Sequence, residues 1–421
     1  MAIFIIITLK WLYIVPTEQI SDFWIFWDKA PSALAGQPLM ETPHDYFAKF
    51  AYQTGFLVYI MTIVKLFGSN ILAMQLLNVL YQIIILLLTY SLSNKLFANV
   101  RISRIAVILL AINIDWFALN SQADNQYLAS MLYLLTFYLI SNNKLWSFGL
   151  AGLTLAIGWI IRPIGPVILI AIICYSLWFI LKESPKKIIG KNILLVTICF
   201  STIFAAGFLV RASGLNPYGL ANNDTEWKLI SGLNYESNGT YSEELNKSLN
   251  GSESKEINKA TEKRVLAEQI HHLNEVNGWG RLFIHKLAIL WARNAESIPF
   301  TGFGEGHSPK AYWTAALLGY LGSFLIVVFS WVGSFSLLKS KNDPMILLLV
   351  LTILGFTLAE LIIEVQGRYR IELIPILSII AGMGVESFIL AINKSGIGLR
   401  NNVQKRIFPL FKISDKDAFS E

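Results

Sequence analysis

The run TGFLVYIMTIVKLF at residues 54–67, closed by Gly68, decides the topology of the whole chain. Its fourteen residues fall short of the about 20 that cross a bilayer as helix. Ten other apolar runs read as spans: 1–16, 70–91, 104–119, 126–141, 145–161, 164–181, 191–211, 311–338, 345–363 and 372–393. Short cytoplasmic loops are enriched in Lys and Arg, so the basic residues choose between the two topologies. With 54–67 uncrossed and the N-terminus inside, the inner loops carry Lys95, Arg101, Arg104, Lys144, Lys182, Lys186, Lys187, Lys191, Lys339 and Lys341. The tail from Lys394 to Lys416 adds six more. The outer side, the long 212–310 segment apart, holds Lys29, Lys49, Lys65, Arg162, Arg368 and Arg370. Were 54–67 to cross, the basic loops would all face out. The run therefore reads as a helix lying in the outer interface.

Composition agrees with a membrane protein. Of 421 residues 54% are hydrophobic and 15% charged, against roughly 25% charged in an ordinary soluble domain, which excludes a water-soluble enzyme. The net charge of +6 is scattered between apolar runs, so no basic stripe offers a nucleic-acid surface. Cys174 and Cys199 both lie inside apolar runs and read as packing residues, too few for a disulfide scaffold or metal cluster. The expected fold is an all-α polytopic bundle of about ten transmembrane helices. Residues 1–211 form an N-terminal module containing the first outer loop, 17–69. Residues 212–310 form a mixed extracytoplasmic domain, 311–393 the last helices, and 394–421 a basic cytoplasmic tail. Within the outer domain 253–297 reads as amphipathic helix ending in the apolar run 282–291. The first span contains Lys10 and lacks the basic start and cleavage site of a signal peptide. Four sequons (Asn223, Asn238, Asn246, Asn250) are expected by chance in so Asn- and Ser-rich a segment.

This topology gathers charge at the outer ends of spans. Asp22 follows span one, Asp124 opens span four, and Arg162 lies between spans five and six in Ile161-Arg162-Pro163. Glu364, Gln366, Arg368, Tyr369 and Arg370 fill the turn between the last two spans. Charges near membrane depth are costly and mark sites. A carboxylate can draw the proton from an attacking hydroxyl, and guanidinium groups can bind phosphate and offset the charge that grows on a phosphate leaving group. Trp24, Trp27, Tyr46 and Tyr52 have two readings, stacking on sugar rings or anchoring at the interface, and anchoring is the expected role for most of them. Pro43-His44-Asp45 reads as a turn, since no second histidine stands at a ligand spacing, and adjacent His271 and His272 make a poor chelate on a helix. Asp115 reads as an edge residue. Glu360, one turn below Glu364, is positioned to line the same cavity, and Glu386 sits deeper with no evident role.

Taken in order, these features resemble the GT-C glycosyltransferases. They comprise an acid shortly after the first helix, an interfacial helix, an acid opening a later span, the Arg-Pro turn and Glu364-Val365-Gln366-Gly367-Arg368-Tyr369 followed by Pro375. Phe50-Ala51-Tyr52-Gln53-Thr54-Gly55-Phe56 with Leu66-Phe67-Gly68 is similar to the first-loop pattern of glycosyltransferase family 39 and its bacterial relatives. The resemblance covers most of 17–170 and 360–390. It implies transfer of a sugar from a polyprenyl-monophosphate donor to an envelope glycan, lipid or protein, with no metal and no cofactor. The first-loop acid, the base in that family, corresponds to Asp22, with Asp28 as its rival, and the second acid to Asp124. Arg162, Glu364, Gln366, Arg368 and Tyr369 would bind substrate. The Asp-Glu pair of the protein O-mannosyltransferases is replaced by Ser21-Asp22-Phe23, and the Lys-Pro-Pro pattern of the aminoarabinose branch is absent; Lys49 is the nearest basic residue, with two readings, contact with the donor phosphate or, favoured, snorkelling at the interface. Two other classes stay open: a transporter of lipid-linked sugars, in which inverted repeats and broken spans are expected, and an envelope polymerase or ligase using diphosphate donors.

Overall fold

The computed structural model describes residues 1–42, 45–180, 185–223, 226–249, 255–339 and 343–407. Among these residues there are helices, turns and loops but no strand. The N-terminal part runs through α1 (Ala2–Ile14), α2 (Asp22–Leu34), α3 (Thr54–Phe67), α4 (Ile71–Phe97) and α5 (Val100–Ala111). After a break come α6 (Gln126–Ser141), α7 (Leu145–Ile161), α8 (Gly165–Ile180) and α9 (Pro185–Ala212). Between α9 and the last helices lie α10 (Glu226–Gly232), α11 (Glu243–Leu249), α12 (Lys255–Glu275) and α13 (Trp279–Trp291). The chain closes with α14 (Pro309–Lys339), α15 (Met345–Ile362) and α16 (Ile374–Ile407).

The apolar runs are helical over most of their length, with a break inside 104–119, yet among the described residues only five helices are long and apolar enough to cross a bilayer: α4, α9, α14, α15 and the first part of α16. A sixth appears if α5 and the bent segment after it count as one. The other apolar helices span 10–17 residues. Local chemistry cuts them short. Pro16 follows α1, Pro163 follows α7, and Asn143 in the left-handed region (φ 56°) terminates α6. The α3 helix forms over the expected residues and buries Phe56, Leu57, Ile60, Ile63 and Val64. It leaves Leu66 and Phe67 exposed, and Gly68 at φ 76° ends it. The single amphipathic helix expected over 253–297 is instead two, because Asn277 turns left-handed (φ 50°) between α12 and α13.

The third run departs most from expectation. The α5 helix stops at Ala111, and Ile114–Ser121 leaves it at 67°. Irregular backbone at membrane depth is tolerated only when protein satisfies its polar groups, and here side-chain amides do so. From one face of α4, Gln75 donates to the Ser121 carbonyl (2.9 Å), Asn78 to that of Gln122 (2.8 Å) and Gln82 to that of Phe117 (3.2 Å). The Trp11 indole on α1 donates to Ala118 O (2.9 Å), and the Tyr127 hydroxyl on α6 to Trp116 O (2.7 Å). Gln19 ties the far end, accepting from Ala123 N at 2.6 Å. Residues 115–126 are thereby buried, and they emerge beside the turn that carries Arg368. Of the two cysteines, Cys199 is buried and Cys174 is exposed on α8, so only the former packs inside.

Candidate functional site

One end of the helix bundle encloses a cavity of about 980 Å³. It is bounded by the start of α2, the chain around Tyr46–Gln53, the Arg162-Pro163 turn, α10, the loop after α13 and the turn between α15 and α16. Ile363, just past the end of α15, and Glu360 and Phe356 on it line the cavity in succession, so it extends about 10 Å along that helix. Its wall thus passes from charged groups to the apolar interior of the bundle.

Across the site runs a chain of polar contacts. Asp22 accepts from Arg368 Nη2 (3.0 Å), and Arg368 Nε donates to Gln366 Oε1 (2.6 Å). The Gln366 amide donates to Glu364 Oε1 (2.6 Å), and Lys228 Nζ donates to Glu364 Oε2 (2.5 Å). The ends open outward, the Asp22 side chain being 43% exposed and that of Lys228 31%, while Arg368 retains 4%. Arg368 is further held between the rings of Phe23 (5.1 Å) and Phe300 (4.6 Å). Burial would strip Lys228 of its proton, but the phenol of Tyr369 and the carboxylate of Glu364 outweigh it and hold its pKa above the ordinary lysine value. For Glu364, burial pushes upward and loses to Lys228 and Gln366, which keep the carboxyl below its usual range.

A second group sits beside the first. Arg162 pairs with Glu372, donates to Asn125 Oδ1 (3.3 Å), and lies 4.9 Å from the centre of the Tyr369 ring. Lys228 and Arg368 approach the same ring at 5.9 and 5.6 Å. Three cations therefore surround one phenol, an arrangement that favours an anion nearby. Burial opposes the charge on Arg162, and Glu372 more than restores it. Gln126 links this group to the turn by donating to the Arg368 carbonyl (2.8 Å) and to Glu372 (3.3 Å). Behind it, Lys286 of α13 is 1% exposed and donates to the carbonyls of Gly232 and Ile363, both at 2.7 Å. It thus binds the C-terminal ends of α10 and α15, where helix carbonyls lack partners. Glu364 N to Lys228 O (2.8 Å) and Val365 N to Gly239 O (2.9 Å) complete that seam.

Of the residues singled out in the sequence, Asp22, Lys49, Arg162, Glu364, Gln366 and Tyr369 line the cavity, and so does Glu360. Arg368 lies behind Asp22. Asp124 is fully buried and does not line it; it accepts from Gln126 N (3.2 Å) and leaves its second oxygen without a partner. Burial raises its pKa to about 7, against the pull of Arg162. Asp28 is exposed on α2, away from the cavity lining. Asp115 is no edge residue: it is 1% exposed and pairs with Arg370 at 2.5 Å. Glu386 pairs with Arg101 (3.0 Å), separate from the cavity. His44 lies outside the described residues, while Asp45 caps its turn through Glu41 N and Thr42 N. His271 meets Glu275 and His272 meets Tyr235, so the two rings diverge. Lys228, Glu372 and Lys286 were not singled out. Glu372 had a readable signal, as a charge opening the last span, and so had Lys286, as a charge inside the apolar run 282–291; Lys228 had none, standing in a segment full of solvated charge.

No protein-family model matches the chain, and no curated protein matches it. Among solved structures it is similar to the archaeal oligosaccharyltransferase AglB from Archaeoglobus fulgidus, determined in complex with an inhibitory peptide and a dolichol-phosphate. The two share 12% identity at a TM-score of 0.48, over 100% of this chain and 52% of that one. This chain spans about half the length of that protein. Likeness at this level assigns neither family nor activity.

Proposed function

We propose that the chain is a membrane glycosyltransferase that moves a sugar from a polyprenyl-monophosphate donor to an extracytoplasmic acceptor. One observation carries the reading: a single cavity joins an open carboxylate, Asp22, to fixed cations and continues past Glu360 to apolar side chains such as Phe356 and Ile289. A substrate that is half phosphosugar and half lipid has that sequence of chemistries. In this reading Arg368 holds one oxygen of Asp22, and the other draws the proton from the attacking hydroxyl. The hydroxyl oxygen bonds the anomeric carbon as the bond to phosphate oxygen breaks, and the electron pair leaves on the phosphate. Arg162 and Lys228 offset the growing charge, with Lys49 and Tyr369 completing the donor site. Gln366 and Glu364 hold Arg368 and Lys228 in register, and Asp124 acts behind Arg162 as a positioning residue. The distribution of basic loops supports an extracytoplasmic cavity and a cytoplasmic C-terminus.

The test is turnover of polyprenyl-phosphate hexoses and their diphosphate counterparts by purified protein. Release of polyprenyl monophosphate by wild type, and its loss in Asp22→Asn with donor binding retained, is the expected result. Full activity of Asp22→Asn removes it as the base, and turnover confined to diphosphate donors moves the chain to the polymerase or ligase class.

A further inference from the structure

Resting on the transferase reading, one wall of the same cavity speaks to the acceptor. Trp24, on the first turn of α2 two residues after Asp22, is 54% exposed, and Tyr241 is 50% exposed. Both line the cavity. Tyr241 is fixed from behind: its hydroxyl accepts from Asn246 Nδ2 (3.2 Å), and its ring meets that of Trp227 edge-on at 6.5 Å. Trp227 in turn is buried in a small core with Ile230 and Leu249, against which Phe50 packs. A ring clamped on one side and open on the other is a platform, whereas an interface anchor would turn its ring to lipid. Neutral hydrogen-bonding groups stand on the same lining: Thr240, Asn246 and Gln53, whose buried Oε1 has no partner.

Open aromatic faces among neutral amides and hydroxyls match the two-sided chemistry of a sugar ring. Its C–H face is apolar and weakly positive and rests on a π-face, while its hydroxyl rim needs donors and acceptors that carry no net charge. We propose that the acceptor is a carbohydrate, lying on Trp24 and Tyr241 with hydroxyls met by Thr240, Asn246 and Gln53. One of its hydroxyls reaches Asp22. That oxygen bonds the donor's anomeric carbon, its proton passes to Asp22, and the electron pair of the broken bond leaves on the phosphate.

Equilibrium dialysis of the full chain in nanodiscs against labelled maltotetraose, chitotetraose and a Ser/Thr-rich octapeptide tests this, alongside donor cleavage assayed separately. A tetrasaccharide binds wild type, Trp24→Ala and Tyr241→Ala weaken it about tenfold, and Tyr241→Phe, which keeps the ring, stays within about threefold. Binding of the octapeptide alone, or of none of the three probes, overturns the proposal even if a polyprenyl-phosphate donor is cleaved. A tetrasaccharide that binds through Trp24 and Tyr241 while no such donor is cleaved leaves the carbohydrate site standing and removes the transferase reading.

Discussion

Arg368 and Arg370 stand two residues apart on one short 3-10 helix, Gly367–Glu372, and each closes on an aspartate from a distant part of the chain. Arg370 meets Asp115 at 2.5 Å with 1% and 2% of the two side chains exposed, and also donates to the carbonyls of Leu290 and Asn294. Asp115 is saturated in return by Ser297 N and Ser323 Oγ. Arg368 meets Asp22 at 3.0 Å, but the aspartate is 43% exposed. The same two residue types make a rivet in one case and an exposed reagent in the other. What separates them is whether the carboxylate has spent all its lone pairs inside the protein.

Breaking the rivet has the largest expected effect. Asp115→Ala leaves the Arg370 guanidinium buried and unpaired, a loss of about 3–5 kcal/mol, read as loss of folded protein by size-exclusion in detergent. Opening the other pair acts on chemistry: Asp22→Asn lowers transfer by roughly 10²–10⁴-fold with an unchanged melting temperature. If Asp22→Asn unfolds the protein and Asp115→Ala does not, the contrast is reversed and the idea fails. Lys228→Met tests the far end of the polar chain, and removing one charged hydrogen bond raises the donor KM by roughly ten- to a hundredfold. A change in kcat alone would instead place Lys228 with the base.

Asp124 gives a pH-dependent effect. Its folded pKa of about 7 lies above the ordinary value of 3.8, so between those limits the folded chain holds a proton that the unfolded chain has released. Stability therefore falls as pH rises from about 4 to about 7 and is level above. Asp124→Asn removes that slope, and melting curves at pH 5 and pH 7.5 that keep the same separation in both proteins would count against it. Asp28→Asn, exposed and away from the cavity lining, leaves turnover unchanged within error; a loss there would make Asp28 the base.

Much of this was readable in the sequence. The helices at 126–141 and 145–161 fall where their apolar runs do, because Asn-Asn and Arg-Pro end them locally. The break after Ala111 was not readable, since Ala111-Ile112-Asn113-Ile114 is one polar residue in an apolar stretch. Its cause lies in Gln75, Asn78 and Gln82, about forty residues earlier, on a helix whose hydropathy hides them. Charges at span ends led to Asp22, Arg162 and the 364–369 turn because burial there is costly. Lys228 could not be told from its solvated neighbours, as the packing of α10 against Ile363–Val365 is a tertiary fact.

The amide-bound segment at 113–123 also constrains the order of assembly. Its carbonyls depend mainly on donors from Trp11, Gln19, Gln75, Asn78 and Gln82, all of which precede it in the chain. By the time Asn113 is synthesised those donors have already been made, and the segment can bend as soon as it meets α4. The last turn, with Arg368 and Glu372, then docks onto Gln126 at the end of an already fixed floor. The first third of the protein thus acts as a template on which the C-terminal arginine turn is set.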